Sequence, residues 1–248
     1  MQPDTLLTVT QNSRNITIVP PRGILPTYFL ALKPMGPRLP VVLYLGAKRL
    51  LDLTLVTGGL LVIWPLLLAI ALLVERDSPG DVIYRRIVLA RQELLPNGTL
   101  RTFAAYKFRT MVPQADALLE GDLELRREYE KEFKLPKDPR VTRLGAKLRS
   151  LSLDEFPQLF NVLRGEMSLV GPRMISPPEL SRYGEHGAAL LSVKPGLTGL
   201  WQISGRQCVR YEERVQLDVW YIEHRSFLMD LIILWRTVGC VFSRTGAF

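Results

Sequence analysis

Between Leu53 and Val74 the chain runs for 22 residues without a charged side chain, and Pro65 sits near the middle of that run. A straight helix of this length would be about 33 Å long, enough to cross the hydrocarbon core of a bilayer. The proline argues against a plain span, because it removes a helix hydrogen bond next to Trp64 and favours a sharp bend. The flanking basic residues are balanced, with Arg38, Lys48 and Arg49 before the run and Arg76, Arg85 and Arg86 after it. A spanning helix usually carries a lysine and arginine bias that sets its orientation. The expectation is a re-entrant helix over residues 47–76 that enters the membrane, bends at Trp64-Pro65 and leaves on the side it came from. An ordinary kinked span and a buried soluble helix are the alternatives.

The remainder of the chain is built differently. A hydrophobic fraction of 47% beside 23% charged residues implies that the two kinds are segregated. The formal net charge is +8, and between Arg85 and Arg149 there are 15 Lys or Arg against 9 Asp or Glu. A localised basic surface calls for an anionic partner: phosphates, lipid headgroups or nucleic acid. Two cysteines without metal or redox spacing and two distant histidines, His186 and His224, exclude a zinc enzyme and a serine–histidine hydrolase. Residues 1–46 hold 7 of the 18 prolines and read as a poorly ordered lead-in with one short apolar piece at Ile24–Leu32.

Past the apolar run, Asp81–Phe108 reads as a β-hairpin turning at Pro96-Asn97-Gly98, whose second strand delivers Lys107 and Arg109. Gln114–Phe133 reads as one charged, solvated helix. Leu144–Leu151 and Asp154–Leu163 read as helices, and Lys194–Arg206 as a loop punctuated by proline and glycine. Phe227–Phe242 places Leu228, Leu231, Trp235, Val238 and Phe242 on one helix face, to pack on the core or to lie in the membrane interface.

The chemistry centres on Leu153-Asp154-Glu155-Phe156-Pro157-Gln158. The spacing of Leu153, Phe156, Phe160 and Leu163 predicts the buried face of a helix, with Asp154 and Glu155 off that face in its first turn. An ordinary reading is available: Ser152 and Glu155 make an S-x-x-E capping box, and acids suit a helix start. Three neighbours favour chemistry instead. Arg149 precedes the pair by one to two turns, and Lys107 and Arg109 form another basic cluster. A helix start beside Arg or Lys suits phosphate. Adjacent carboxylates near phosphates also suit Mg²⁺, which takes hard oxygen ligands, and a carboxylate can itself attack phosphorus. Gly171-Pro172-Arg173 sets one arginine in a rigid turn. In Lys194–Arg206 the glycines allow the backbone close to a ligand, with Lys194 and Arg206 as phosphate contacts at its ends. No Walker A or dinucleotide fingerprint is present.

Taken in order, Tyr106–Met111, Asp138–Thr142, Arg149–Gln158, Asn161–Arg173, Lys194–Arg206 and the closing Leu217-Asp218-Val219-x-Tyr221 … Ser226 … Asp230-Leu231 … Arg236-Thr237 resemble the bacterial sugar transferases, the monotopic polyprenyl-phosphate phosphoglycosyl transferases. The resemblance runs from about Ala47 to the last residue. It implies an α+β, mostly helical fold: a re-entrant hairpin kinked at Pro65, then a small globular catalytic domain over residues 77–248 with a short β-hairpin and interfacial amphipathic helices. It implies Asp154 as nucleophile on the sugar-side phosphorus of a nucleoside diphosphate sugar and Glu155 as its partner in placing Mg²⁺. Lys107, Arg149, Arg173 and Arg206 are implied phosphate contacts. The implied partners are a uridine diphosphate hexose (galactose or glucose, from the charged stretch Val112–Leu135), undecaprenyl phosphate and membrane lipid. The implied place is the cytoplasmic face of the bacterial inner membrane, in the first membrane step of exopolysaccharide, capsule or O-antigen assembly. No nucleic-acid partner is implied, and the oligomeric state stays open, a homodimer included.

The chain departs from the family at Met174, where Pro-Arg-Pro is usual, and at Arg86–Thr99, which replaces a tight Arg-x-Gly turn. Many relatives carry several membrane helices ahead of this part, so the chain reads as a short form. A reading from another class is a non-catalytic anchored module whose basic face binds anionic lipid or nucleic acid. That module gives no reason for an Asp-Glu pair among the cations.

Overall fold

The computed structural model describes residues 40–91, 100–133, 135, 137–205 and 209–243. The Pro96-Asn97-Gly98 turn, Arg206 and the Ile24–Leu32 piece lie outside them. The apolar run lies within a 37-residue helix, α1 (Val41–Asp77), that begins after Pro40 and continues through Pro65 without interruption. The helix therefore includes Val41–Gly46, which the proline count had assigned to the lead-in. An 18-residue window of α1 has mean hydropathy 2.4 with only 11% of it buried. Trp64 and Pro65 are both exposed.

Both halves of α1 pack on the same globular body. In the first half, Tyr44 Oη and Lys48 Nζ donate to Asp230 (2.9 and 2.7 Å), Arg49 donates to the carbonyls of Val162 and Leu163, and Asp52 accepts from the Leu169 N–H. In the second half, Ile70 and Val74 pack with Phe108 and Leu148. The Arg109 guanidinium closes the helix end on the carbonyls of Val74, Ser78 and Asp81, as the macrodipole and the orphan carbonyls of a helix terminus favour.

Strands β1 (Ile83–Leu89) and β2 (Thr102–Phe108) pair antiparallel in the expected hairpin, with Tyr84 opposite Lys107 and Arg86 opposite Ala105. The charged stretch that follows is two helices, α2 (Ala115–Gly121) and α3 (Leu123–Glu132). Asp122 ends the first and caps the second by accepting from the N–H groups of Glu124 and Leu125, which is how a short acceptor side chain competes with helix continuation. Next come α4 (Arg143–Ser150), capped by Thr142, a 3₁₀ turn over Leu153–Glu155 and α5 (Gln158–Arg164).

Strand β3 (Ser168–Val170) pairs in parallel with β4 (Gly196–Thr198). The segment between them holds 3₁₀ structure over Pro177–His186 and α6 (Gly187–Leu191). The stretch expected as a loop after Lys194 thus supplies a strand, followed by the short α7 (Leu200–Ile203). Glycine is required where these two strands meet: a Cβ on Gly171 would stand 2.6 Å from the Lys194 carbonyl oxygen, and one on Gly196 2.1 Å from the Gly171 nitrogen. These two glycines let two backbones touch each other.

The helices α8 (Tyr211–His224) and α9 (Phe227–Ser243) close the body. Val88, Ala105, Val162, Met167, Leu200, Leu217 and Ile233 lie in its core. On α9 the stripe of Leu228, Leu231, Trp235 and Val238 points outward, Trp235 being 78% exposed, while Met229, Asp230 and Ile233 face in. Core packing of that stripe is thereby ruled out.

Candidate active site

The chain enters the site through a strained residue. Ser152 has φ of 56°, the left-handed region that a non-glycine residue occupies at a cost. Its side chain makes no capping hydrogen bond, so the capping box of the ordinary reading is absent, and Glu155 binds Lys107 instead. The expected apolar face is only partly buried: Leu153 and Leu163 pack against the core and Phe160 does not. Asp154, Gln158, Asn161 and Val162 are buried, whereas Phe160 is 47% exposed.

The buried polar side chains build the site. Asn161 faces the hairpin, accepting from the Tyr106 N–H (3.0 Å) and donating to the Ala104 carbonyl (2.8 Å) and to Glu166. This clamp holds β2 against the start of α5, one residue from Lys107. The Lys107 ammonium donates to Glu155 Oε1 at 2.5 Å and stands 3.8 Å from Asp154 Oδ2. Arg149 donates from Nε to Thr110 Oγ1 (2.9 Å), and its charge acts on both carboxylates. Burial, aided by the Glu155 charge, lifts the Asp154 carboxyl above the usual range, with Lys107 and Arg149 opposing. Burial pushes Glu155 the same way, but Lys107, Arg173 and Arg86 outweigh it and hold that carboxyl low. The two neighbours are thus pulled apart in acidity, as happens where adjacent carboxylates take different roles.

Arg173 reaches this group electrostatically from the β3–β4 side. Its backbone N–H donates to Asp218 Oδ2 (3.2 Å), and its guanidinium lies 5.0 Å from the Trp201 ring centroid. Asp218 is fully buried, takes a second hydrogen bond from Tyr183 (2.9 Å), and is pushed up by burial to about 7. Met174, in place of the usual proline, is buried. The backbone around Arg173 is held by hydrogen bonds from Gly196 to the Pro172 carbonyl and from Leu89 to the Ile175 carbonyl.

The structure does not bring every candidate together. Arg109 contacts the carbonyls at the end of α1. Lys194 lies at the far end of α5, its Nζ 3.4 Å from where a Gly165 Cβ would be. Burial and Arg49 lower its pKa, and its charged neighbours are Arg49, Asp52 and Arg91. Sequence reasoning missed Arg86, which pairs with buried Glu179 (2.7 Å) and helps to hold Glu155 low. Its signal was the hairpin register: Arg86 opposes Ala105, two residues before Lys107, and so shares that face. Asn161 and Asp218 stand in the quoted motifs, but the clamp made by the first and the burial of the second are announced by no local pattern. Among the described residues, no group of three or more His, Cys, Asp or Glu comes together.

A site with a buried carboxylate, a second one held ionised and four cations acting on the pair can hold phosphate groups and direct a nucleophile at them. The chain has relatives among known proteins. The chain is 42% identical over 205 residues to the UDP-galactose-lipid carrier transferase of Erwinia amylovora, covering 81% of this chain and 41% of that one. It is 43% identical over 205 residues to the undecaprenyl-phosphate galactose phosphotransferase of Salmonella typhimurium, again 81% and 41%. It is 41% identical over 206 residues to the exopolysaccharide production protein ExoY of Rhizobium meliloti, covering 82% and 88%. The chain thus spans about two-fifths of the length of the first two relatives and most of the third. The bacterial sugar transferase family matches residues 43–244, enclosing every described element of the site, and the chain belongs to that family.

Proposed function

We propose that the chain transfers a hexose 1-phosphate, galactose or glucose, from a uridine diphosphate sugar to undecaprenyl phosphate through an ester on Asp154. The observation that carries this reading is the pair itself: Asp154 buried and raised in pKa, 3.8 Å from the ammonium that holds Glu155 ionised. In the first step an Asp154 oxygen bonds to the sugar-side phosphorus, and the bond from that phosphorus to uridine monophosphate breaks. In the second, a phosphate oxygen of undecaprenyl phosphate bonds to the same phosphorus and the Asp154 carboxylate leaves. Splitting the transfer keeps each step a single in-line displacement. A raised pKa makes Asp154 the more basic and better nucleophile once ionised. Lys107, Arg149 and Arg173 offset the charge of the diphosphate, and Arg86 orders Glu179 beside them. Arg206, in the matching family motif, is assigned to the same anion.

Asp154 and Glu155 also fit Mg²⁺, which takes one or two carboxylates and completes its shell with phosphate oxygens and water. Bound there, it would neutralise the diphosphate charge. Residues 1–39 are assigned no part in this chemistry.

The seating of α1 supports a re-entrant anchor. Tyr44, Lys48 and Arg49 at one end and Ile70 and Val74 at the other pack on one body. A hydrocarbon core of about 30 Å between the two ends would leave one of them without that body. On this reading the body lies on the cytoplasmic face of the bacterial plasma membrane, where nucleotide sugars are available, with the α9 stripe of Leu228 and Trp235 at the interface.

The test uses purified protein, labelled uridine diphosphate galactose or glucose, and Mg²⁺. Wild type is expected to release uridine monophosphate and to retain labelled phosphosugar on Asp154, read by mass spectrometry. Asp154→Asn should remain folded and membrane-bound yet lose roughly 10³-fold or more in rate. Full activity in that variant refutes the assignment. No turnover by wild type, with salt-sensitive binding to nucleic acid or anionic vesicles, supports the anchored basic module instead.

A further inference from the structure

The strand that opposes Lys107 brings a second side chain to the same face. Tyr84 lies directly across from Lys107 in the β1–β2 ladder, and directly opposed residues in an antiparallel pair hold their Cβ atoms about 5 Å apart on one face. Because the Lys107 ammonium reaches to 3.8 Å from Asp154, Tyr84 stands about one lysine length from the proposed nucleophile. Tyr84 as a residue is 50% exposed. Burial and then Asp116 hold its phenol above the ordinary value, so it is neutral and presents a flat apolar face rather than a charge.

Tyr84 forms one wall of an open groove of about 390 Å³, whose other walls are Pro79, Gly80, Asp81, Ile83, Arg85, Arg109 and Pro113. The groove is stiff. Arg109 is fixed by the carbonyls of Val74, Ser78 and Asp81, and its backbone N–H bonds the Val82 carbonyl. An acyl chain would find Asp81 and Arg109 in the wall, so the groove does not suit the acceptor's hydrocarbon. A flat heteroaromatic ring with N–H donors suits both the Tyr84 face and the Asp81 carboxylate.

We propose that this groove holds the nucleoside of the donor, with its base stacked on Tyr84. The inference rests on the reading of Asp154 as a nucleophile toward a nucleoside diphosphate sugar and adds where that donor's other end sits. With the sugar-side phosphorus at Asp154 and the diphosphate along Lys107, the nucleoside continues outward past Lys107 toward its cross-strand neighbour. An aromatic side chain under a base contributes binding that any flat ring can supply, so phenylalanine should replace tyrosine and leucine should not.

The experiment measures donor KM, acceptor KM and inhibition by uridine monophosphate for full-length Tyr84→Phe, Tyr84→Leu and Tyr84→Ala. Leu and Ala are expected to raise donor KM and the inhibition constant together, on the order of 10- to 100-fold, with Phe within about twofold of wild type. Acceptor KM should stay unchanged, because undecaprenyl phosphate has no nucleoside. A readout free of substitution is photocrosslinking of wild type with 5-iodouridine monophosphate, expected to label residues 79–84. Wild-type donor KM in Tyr84→Leu, equal shifts in donor and acceptor KM, or crosslinks elsewhere overturn the groove assignment while leaving the Asp154 reading intact. Absence of turnover on any nucleoside diphosphate sugar by wild type sinks both.

Discussion

At the scale of single residues, the site depends on charges that are close but unequal. Lys107 serves both carboxylates, so Lys107→Met leaves Glu155 without its partner and Asp154 with one less cation. The expected result is a fall in kcat/KM of roughly 10²-fold or more, together with an acid limb of the pH–rate profile moved to higher pH, since Lys107 opposes the burial that raises Asp154. An unmoved profile would separate Lys107 from the ionisation of the pair. Asp218 gives a second test, on stability. Its folded-state value of about 7 lies above the ordinary 3.8, so between these values the folded chain holds a proton that the unfolded chain has released. Stability contributed by the neutral form is therefore lost as pH rises through about 7. Asp218→Asn should flatten that decline, read as melting temperature against pH in detergent or nanodiscs. A slope identical to wild type would mean that Asp218 does not titrate there.

At the scale of elements, the clamp between β2 and α5 sets the geometry. Asn161→Ala removes the side chain that accepts from Tyr106 and donates to Ala104, leaving a part-buried backbone N–H and carbonyl without that partner. A loss of about 1–3 kcal/mol is expected, measured by denaturant unfolding, with a fall in kcat larger than any change in acceptor KM. Much at this scale could be read in advance. The hairpin was legible because strand alternation and the delivery of Lys107 are local properties. The helix over 154–163 was legible in position and only in part in its buried face, since Leu153 and Leu163 pack inward while Phe160 does not. Periodicity tells which residues share a face, and it does not tell what that face meets. Phe160 turns outward, and Asp154, Gln158 and Asn161 are buried by partners distant in sequence. The division of Gln114–Phe133 into α2 and α3 turned on Asp122 as a cap, a local signal outweighed in the reading by the even mixture of charges. The parallel β3–β4 pair was illegible because glycines that admit a ligand and glycines that admit another backbone look alike in a sequence.

At the scale of the molecule, the arrangement of α1 is the main claim about membranes. Single cysteines at Leu43 and Glu75, in a background with Cys208 and Cys240 replaced by serine, should both react with a membrane-impermeant maleimide added from the same side of sealed vesicles. Labelling from opposite sides would mean that the helix spans. The ties of Tyr44 and Lys48 to Asp230, itself bonded by Tyr221 from α8, have a practical corollary. Trimming the chain at residue 78 would not liberate a water-soluble catalyst. It would strip a fully buried acid of two donors and uncap the end of α5. Detergent or lipid is thus the expected medium for the intact chain, and solubility engineering has to begin at the outer surfaces of α1 and α9 rather than with scissors.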